Sequence, residues 1–202
     1  MISIWRWTLI AGTALLLAAC ATYAKVESGS TKEIGEMSVR VVGDWSEVNS
    51  TAVPLGQADA VWTVDGLNLN RLIFLSGVEP GEPVEKSGNE EIDAKMPTFR
   101  AGMTETGVME LVEATFARSP GVVRAKATGL RPSGFLGRQG FAFEVDIVNA
   151  SQIEIRVLAT GVTVSNKLYM IYFAAPRLHF YSKELPTVRA IMDGARLTGG
   201  EA

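Results

Sequence analysis

The sequence predicts a single α+β domain in which helices flank an antiparallel β-sheet of about six strands. Two stretches have the apolar spacing of amphipathic helices, and they lie on either side of a run of strand-like segments. Short turns join these segments, which favours an antiparallel meander over a parallel sheet. A chain of 202 residues that is 47% hydrophobic and 20% charged is long enough to bury one such core.

Three strands are predicted before the first helix, at residues 37–48, 58–64 and 67–77. Asp65-Gly66 lies between the second and third of them and predicts a two-residue hairpin, because glycine tolerates positive φ. Residues 78–103 are rich in Gly, Pro and Glu, and they predict a long loop. Its acidic side chains, Glu85 among them, do not match the spacing of a calcium loop, and we expect them to be solvated.

The first predicted helix covers residues 104–118, with Thr104 or Thr106 as N-cap and Pro120-Gly121 after its end. Its apolar stripe comprises Val108, Leu111, Val112, Thr115 and Phe116. A second helix follows Ser182, its predicted N-cap, and carries Pro186 in the first turn, where the missing N–H costs little. Its stripe comprises Leu185, Val188, Ile191, Met192 and Ala195.

Between the helices, a strand at 122–130 is followed by three that form the meander, at 141–147, 153–157 and 167–175. A three-residue loop at 149–151 would pair Ile147 with Ile153, Val145 with Ile155, Asp146 with Glu154, and Glu144 with Arg156. A tight turn at Ser165-Asn166 would pair Val162 with Tyr169 and Thr160 with Ile171. The last strand is apolar on both faces, which predicts a central position.

This order of elements resembles the PsbP-like fold, a group that includes an extrinsic subunit of photosystem II and a Ran-binding nuclear import factor. The matching elements are the strand ending near Trp45, the hairpin at 62–66, the strand at 69–77, the long loop, the helix at 104–118, the meander at 141–172 and the C-terminal helix. The resemblance covers residues 37–197 and implies an antiparallel sheet between helical layers, an α/β/α sandwich. The members of this group share no single chemistry, so the resemblance implies no particular activity.

The N-terminus has the pattern of an export signal. Arg6 is the only charge before Lys25, and residues 8–19 are largely apolar. Leu17-Ala18-Ala19-Cys20 resembles the lipobox of bacterial lipoproteins, which implies cleavage before Cys20 and diacylglycerol on its thiol. An uncleaved membrane anchor and an ordinary signal peptide that happens to precede a cysteine are the alternatives.

These features divide the chain into a signal peptide at 1–19, a lipidated Cys20 with a flexible tether at 20–36, a domain at 37–197 and a tail at 198–202. Removing residues 1–19 takes away one Arg and no acidic residue, so the formal net charge changes from −3 to −4. In the lipoproteins of Gram-negative bacteria, a residue other than Asp after the cysteine implies export to the outer membrane, and Ala21 fits that pattern. We therefore expect a lipid-anchored protein on the periplasmic side of the envelope.

One side-chain cluster that the sequence suggests as a possible site is a polar patch of Glu144, Asp146, Glu154 and Arg156 on one face of the sheet. Such carboxylates could perform acid–base chemistry or bind a cation, although Arg156 already offsets their charge. His179 is the only histidine, and no nucleophile motif accompanies it. One Cys and one His exclude a disulfide framework, a cysteine-based zinc site and an iron–sulfur cluster.

We therefore expect a non-enzymatic protein without a metal or cofactor, with a binding or assembly role and no nucleic-acid partner, since the net charge is slightly negative. Its partners would be the bilayer, through acylated Cys20, and another protein. The alternative is a module that binds an apolar small molecule or a lipid in a pocket between sheet and helix. Phe141, Phe143, Tyr169 and Tyr172 are the residues that we expect to line it.

Overall fold

An eight-stranded antiparallel sheet forms the centre of the protein, in a computed structural model that describes residues 22–198. The predicted signal peptide, Cys20 and all but the first residue of the predicted tail lie outside the described residues. In chain order the strands are β1 (Tyr23–Val26), β2 (Thr31–Ile34), β3 (Met37–Arg40), β4 (Trp45–Val48), β5 (Ala60–Thr63), β6 (Arg71–Val78), β7 (Val122–Phe135), β8 (Arg138–Asn149), β9 (Glu154–Val164), β10 (Lys167–Pro176) and β11 (Arg196–Leu197). The helices are α1 (Glu90–Asp93), α2 (Glu105–Arg118) and α3 (Ser182–Gly194).

The main sheet has the order β1-β4-β5-β6-β10-β9-β8-β7, and a second sheet has the order β11-β3-β2. The prediction of an antiparallel sheet flanked by helices is therefore confirmed, but the main sheet is larger than the six strands expected. Strand β1, in the segment predicted as a tether, adds to the main sheet, and the predicted strand at 37–48 is two strands in different sheets. The chain leaves the small sheet after β3 and enters the main sheet at β4, where Trp45 Nε1 donates to the Val42 carbonyl at 2.9 Å.

The prediction of a flexible tether at 20–36 is wrong for residues 23–34, which form β1 and β2. Strand β1 pairs with β4 from Tyr23 opposite Val48 to Val26 opposite Trp45, and β2 pairs with β3. Val26 and Ile34 are buried in the core, and this burial offsets the entropy lost by ordering the polar residues around them.

The connection between β5 and β6 is longer than the two-residue hairpin predicted from Asp65-Gly66. The strands are paired, with Trp62 opposite Leu72, but residues 64–70 lie between them. The buried side chain of Asn70 organises this loop. Its Oδ1 accepts from the Thr63 hydroxyl at 2.9 Å and from the Val64 N–H at 2.7 Å.

The meander has one register that the sequence predicted and one that it did not. Tyr169 lies opposite Val162 and Ile171 opposite Thr160, as expected, and β10 is a central strand. The β8–β9 register is shifted by two residues, so that Ile147 faces Ile155 and Asp146 faces Arg156. The connecting loop is longer than predicted because the Asn149 side chain accepts from the Ser151 and Ile153 N–H groups, and Gln152 takes a positive φ. A shift of two residues leaves each side chain on its predicted face.

Each face of the main sheet buries its own apolar core, and a different helix covers each one. The α2 stripe packs on one face with Phe143, Leu75 and Tyr172, and the five buried residues of α2 are those that the periodicity predicted. Thr104 is the N-cap, accepting from the Gly107 N–H at 3.1 Å. Helix α3 and the small sheet cover the other face. Ser182 is not an N-cap, since its hydroxyl donates to the His179 carbonyl at 3.3 Å.

A polar contact fastens the β2–β3 turn to the main sheet. The Tyr169 hydroxyl donates a short hydrogen bond to Glu36, and the Glu36 N–H donates to Ser76 Oγ at 2.7 Å. Gly35 allows this approach, because its φ is +54° and a Cβ there would lie 2.6 Å from the Ser76 side chain. The hydrogen bond from Tyr169 lowers the pKa of Glu36 below its ordinary value, with Lys167 contributing to the shift.

We expect Tyr169→Phe to lower the free energy of unfolding at neutral pH by about 1 kcal/mol, since one hydrogen bond to a carboxylate is lost. Because the pKa of Glu36 is lower in the folded protein than in the unfolded chain, the ionised carboxylate stabilises the fold at pH values above the unfolded-state pKa. This contribution disappears as the pH falls through the folded-state pKa. The difference between the two proteins in urea denaturation should therefore shrink in acid. Tyr181→Phe is the matched control, because the buried Tyr181 hydroxyl has no hydrogen-bond partner among the described residues. An equal loss of stability in both variants would contradict this account.

Candidate functional site

The main candidate site is a cleft of about 760 Å³ on the α2 face of the main sheet. This volume is within the range of small-molecule sites. The C-terminal end of α2, the loop after β4 and the loop after β6 form its walls, and β6 and β10 supply its floor. Residues from these elements include Leu55, Leu67, Arg71, Val84, Glu85, Met96, Phe116, Ser119, Ile155 and Tyr172.

Tyr172 places a polar atom on the apolar floor. Its side chain comes from β10 and is only 5% exposed, and its ring packs edge-to-face on Phe116 with 5.8 Å between the centroids. The hydroxyl makes no hydrogen bond to any residue in the range 22–198. Burial raises the pKa of Tyr172 well above its ordinary value, and the nearby Glu85 carboxylate raises it further. The floor therefore presents a neutral hydroxyl that a ligand can engage.

Glu85 is the second polar group of the cleft. Its carboxylate accepts one long hydrogen bond, from the Ser119 hydroxyl at 3.4 Å. Burial raises the pKa of Glu85 above its usual range, while the Arg71 guanidinium acts in the opposite direction. Arg71 makes no ion pair with any described residue, so the two charges offset each other across the cleft without a direct contact. The expectation that the acidic loop at 78–103 is fully solvated is wrong for Glu85.

Two loops meet at the side of the cleft, and they are held together by close backbone packing. Gly56 has a φ of +64°, and a Cβ at this position would lie 2.7 Å from the Lys86 carbonyl oxygen. Gln57 Nε2 donates to Glu82 Oε2 at 3.1 Å. The two walls are thus one unit, although they are about 30 residues apart in the sequence.

The polar patch predicted from the sequence is on the opposite face of the sheet. Arg156 binds Asp146 through two hydrogen bonds, of 2.7 Å from Nε and 3.0 Å from a terminal nitrogen, and Glu144 lies 3.8 Å from the same guanidinium. The bond from Arg156 lowers the pKa of Asp146 below its ordinary value. Glu154 instead pairs with Arg177 at 3.2 Å. These charges compensate one another, which favours a structural role over acid–base chemistry.

The four aromatic residues suggested as a pocket lining do not act together. Only Tyr172 lines the cleft. Phe141 and Phe143 are stacked in the core, with 6.2 Å between their centroids and almost no exposed surface. Tyr169 is on the other face, where it binds Glu36.

His179 is exposed, in an irregular turn at Arg177–Tyr181, and is not part of the cleft lining. Its φ of 71° and ψ of −63° are rare for a non-glycine residue. Within residues 22–198, no three His, Cys, Asp or Glu side chains are grouped as metal ligands. No helix in the same range is long and apolar enough to cross a bilayer.

Comparison with solved structures identifies the architecture. The chain is similar to the solution structure of cyanobacterial PsbP (CyanoP) from Synechocystis sp. PCC 6803, with a TM-score of 0.52 and 12% identity over 85% of this chain and 95% of that one. The chain has a PsbP-like fold. It is also similar, with a TM-score of 0.44 and 10% identity over 87% of this chain and 90% of that one, to LpqN, which is involved in cell envelope biogenesis of Mycobacterium tuberculosis. No family model and no curated protein sequence matches the chain.

We expect Glu85→Gln to stabilise the protein at neutral pH by about 1 kcal/mol, because it removes a half-buried charge that has only one weak hydrogen bond. A raised folded-state pKa means that the folded protein retains its proton longer than the unfolded chain. Stability is then lost as the pH rises from the unfolded-state pKa through the folded-state pKa. Urea denaturation from acidic to neutral pH should show the two proteins converging in acid. Glu110→Gln, on the exposed side of α2, is the control. If Glu85→Gln is no more stable than Glu110→Gln at neutral pH, the buried charge of Glu85 does not destabilise the protein.

Proposed function

We propose that this protein is a membrane-anchored lipoprotein on the periplasmic side of the outer membrane, and that its domain binds a small molecule in the cleft without catalysing a reaction. The sequence left two roles open, a binding or assembly role with another protein and a ligand-binding role. The cleft favours the second. The observation that carries it is the hydroxyl of Tyr172, which has no hydrogen-bond partner among the described residues and lies near Glu85 on the floor of a 760 Å³ space.

A binding function fits the cleft better than catalysis does. Its lining contains Ser119 and Glu85 within hydrogen-bond distance of each other, but the chain's single histidine, His179, is not part of the lining. A serine nucleophile needs a base that can take its proton at neutral pH, which an imidazole normally supplies. The lining therefore has polar groups that can orient a ligand and lacks the set that would activate a nucleophile.

The lipid anchor rests on the sequence Leu17-Ala18-Ala19-Cys20 and on its position after an apolar stretch. Acyl chains on Cys20 and on the new amino terminus would hold the protein stably, since two or more chains are needed for that. Ala21 after the cysteine supports the outer membrane as the destination.

We expect Cys20→Ser to abolish incorporation of labelled palmitate and to leave the protein uncleaved, because the thiol is the acceptor in this class of protein. Metabolic labelling and membrane fractionation measure both effects. Ala21→Ser is the control and should be labelled normally. Full labelling of the Cys20→Ser variant would rule out Cys20 as the attachment site.

For the cleft, we expect Leu67→Trp to interfere with ligand binding, since Leu67 lines the space and a bulkier indole at this position would project into it. Leu69→Trp is the matched control, because Leu69 is in the same loop but is exposed and outside the lining. Native mass spectrometry of the intact proteins should show a bound small molecule in the wild type and in Leu69→Trp, and none in Leu67→Trp. If Leu67→Trp and Leu69→Trp do not differ in their binding of any co-purified or added compound, the cleft is not a binding site.

A further inference from the structure

The first strand of the main sheet begins very close in sequence to the proposed lipid anchor. Strand β1 starts at Tyr23, and Cys20 is only two residues before Thr22. The Thr22 carbonyl accepts from the Asn49 N–H at 2.8 Å, which fixes this end of the chain beside the start of the loop after β4. Two residues of fully extended chain span no more than about 7 Å. An acylated Cys20 would therefore hold this end of the main sheet against the bilayer.

The loop that Thr22 contacts is also a wall of the cleft. Residues 49–58 run from the Thr22 contact through Val53, Pro54 and Leu55, all of which line the cleft. Tyr23 is 42% exposed at the same end of the sheet, and an amphipathic aromatic side chain suits the membrane interface. The wall of the cleft that this loop forms would thus lie close to the membrane surface.

The lining of the cleft combines an apolar surface with uncharged hydrogen-bonding groups. Val84, Met96, Phe116 and Ile155 supply the apolar part. The neutral polar groups on the lining are Gln57, Asn68, Ser87, Ser119, Asn149, Ser151 and the Tyr172 hydroxyl. The two cations of the lining, Arg71 and Lys86, are exposed to solvent, and Arg71 offsets the charge of Glu85, so the lining offers no uncompensated buried charge to pair with a charged head group. An uncharged head with hydroxyl groups avoids the cost of desolvating a charge and can donate to Glu85 or bind the Tyr172 hydroxyl.

We infer that the cleft takes up a single-chain amphiphile with an uncharged, hydroxyl-bearing head, of the monoacylglycerol class, directly from the bilayer to which Cys20 holds the domain. This inference rests on the proposed anchor and binding function. The acyl chain lies on the apolar surface, and the head lies between Tyr172 and Glu85.

The first test measures head-group selectivity with the full-length protein, processed in the cell and reconstituted into vesicles of phosphatidylethanolamine and phosphatidylglycerol. The probe is a monoacylglycerol with a fluorescent polyene chain, compared with the lysophosphatidic acid that carries the same chain. We expect the monoacylglycerol to bind more tightly by about tenfold or more. We expect Tyr172→Phe to weaken its binding by about tenfold, because one hydrogen bond to the head is lost. Tyr181→Phe also removes an unpartnered buried hydroxyl, but on the other face, and should leave binding unchanged.

The second test measures the source of the ligand. A Gly/Ser segment of about 30 residues, inserted between Ala21 and Thr22, would move the domain away from the bilayer by tens of ångströms. We expect this insertion to slow uptake of probe from the vesicle membrane at least several-fold. The affinity for probe added from solution should not change, because the cleft itself is intact.

The outcomes separate this inference from the function on which it rests. If a water-soluble compound binds the wild type and is blocked by Leu67→Trp, while the monoacylglycerol does not bind, the amphiphile is ruled out and the binding cleft remains. Equal affinity for both head groups, or no effect of Tyr172→Phe, overturns the assignment of the head. Uptake that is as fast with the inserted segment as without it overturns the bilayer as the source. If nothing distinguishes Leu67→Trp from Leu69→Trp, the cleft hypothesis itself fails.

Discussion

The burial of both faces of β10 is the constraint on which the rest of the fold depends. From Leu168 to Ala175 every side chain of this strand is buried, and alternate residues enter opposite cores. An antiparallel sheet with one solvated face needs a single covering layer, whereas this one needs two. Helix α2 covers one face, and α3 with the small sheet covers the other. Without either layer, a row of aromatic and aliphatic side chains would be exposed to water.

The second layer explains why the polar N-terminal segment is ordered. Residues 23–40 have few apolar side chains, but Val26, Ile34, Met37 and Val39 are all buried against the α3 face. The hydrogen bond from Tyr169 to Glu36 joins this layer to the central strand itself. The segment is polar because of its outward side chains. The pairing of β1 with β4 and of β2 with β3 satisfies the hydrogen-bonding groups of its backbone. The average polarity of this segment therefore reflects its exposed side chains and does not reveal the few buried ones that pack against the core.

The parts of the fold that follow from local periodicity were predicted from the sequence. These are the α2 stripe, the two-sided burial of β10 and the β9–β10 register, which a tight turn determines. The β8–β9 register failed because the Asn149 side chain stabilises a longer loop, and a local pattern cannot separate registers that differ by two residues. The cleft was missed for a different reason. Its walls come from loops about 30 residues apart, and Glu85 resembles its solvated acidic neighbours until Arg71 and Tyr172 are placed beside it.

The cleft itself follows from the mismatch between one short helix and a wide sheet. Eight strands span about 34 Å across, while a helix of 14 residues is about 21 Å long and 10 Å wide. Helix α2 packs mainly on β7 and β8, so the α2 face above β6 and β10 must be covered by loops. Loops carry fewer apolar side chains and cannot close over a flat surface as a helix does, so a space remains above Tyr172. Tyr172 lines this space, and its hydroxyl makes no hydrogen bond to a described residue. It is therefore the polar group of the floor that we propose a ligand engages.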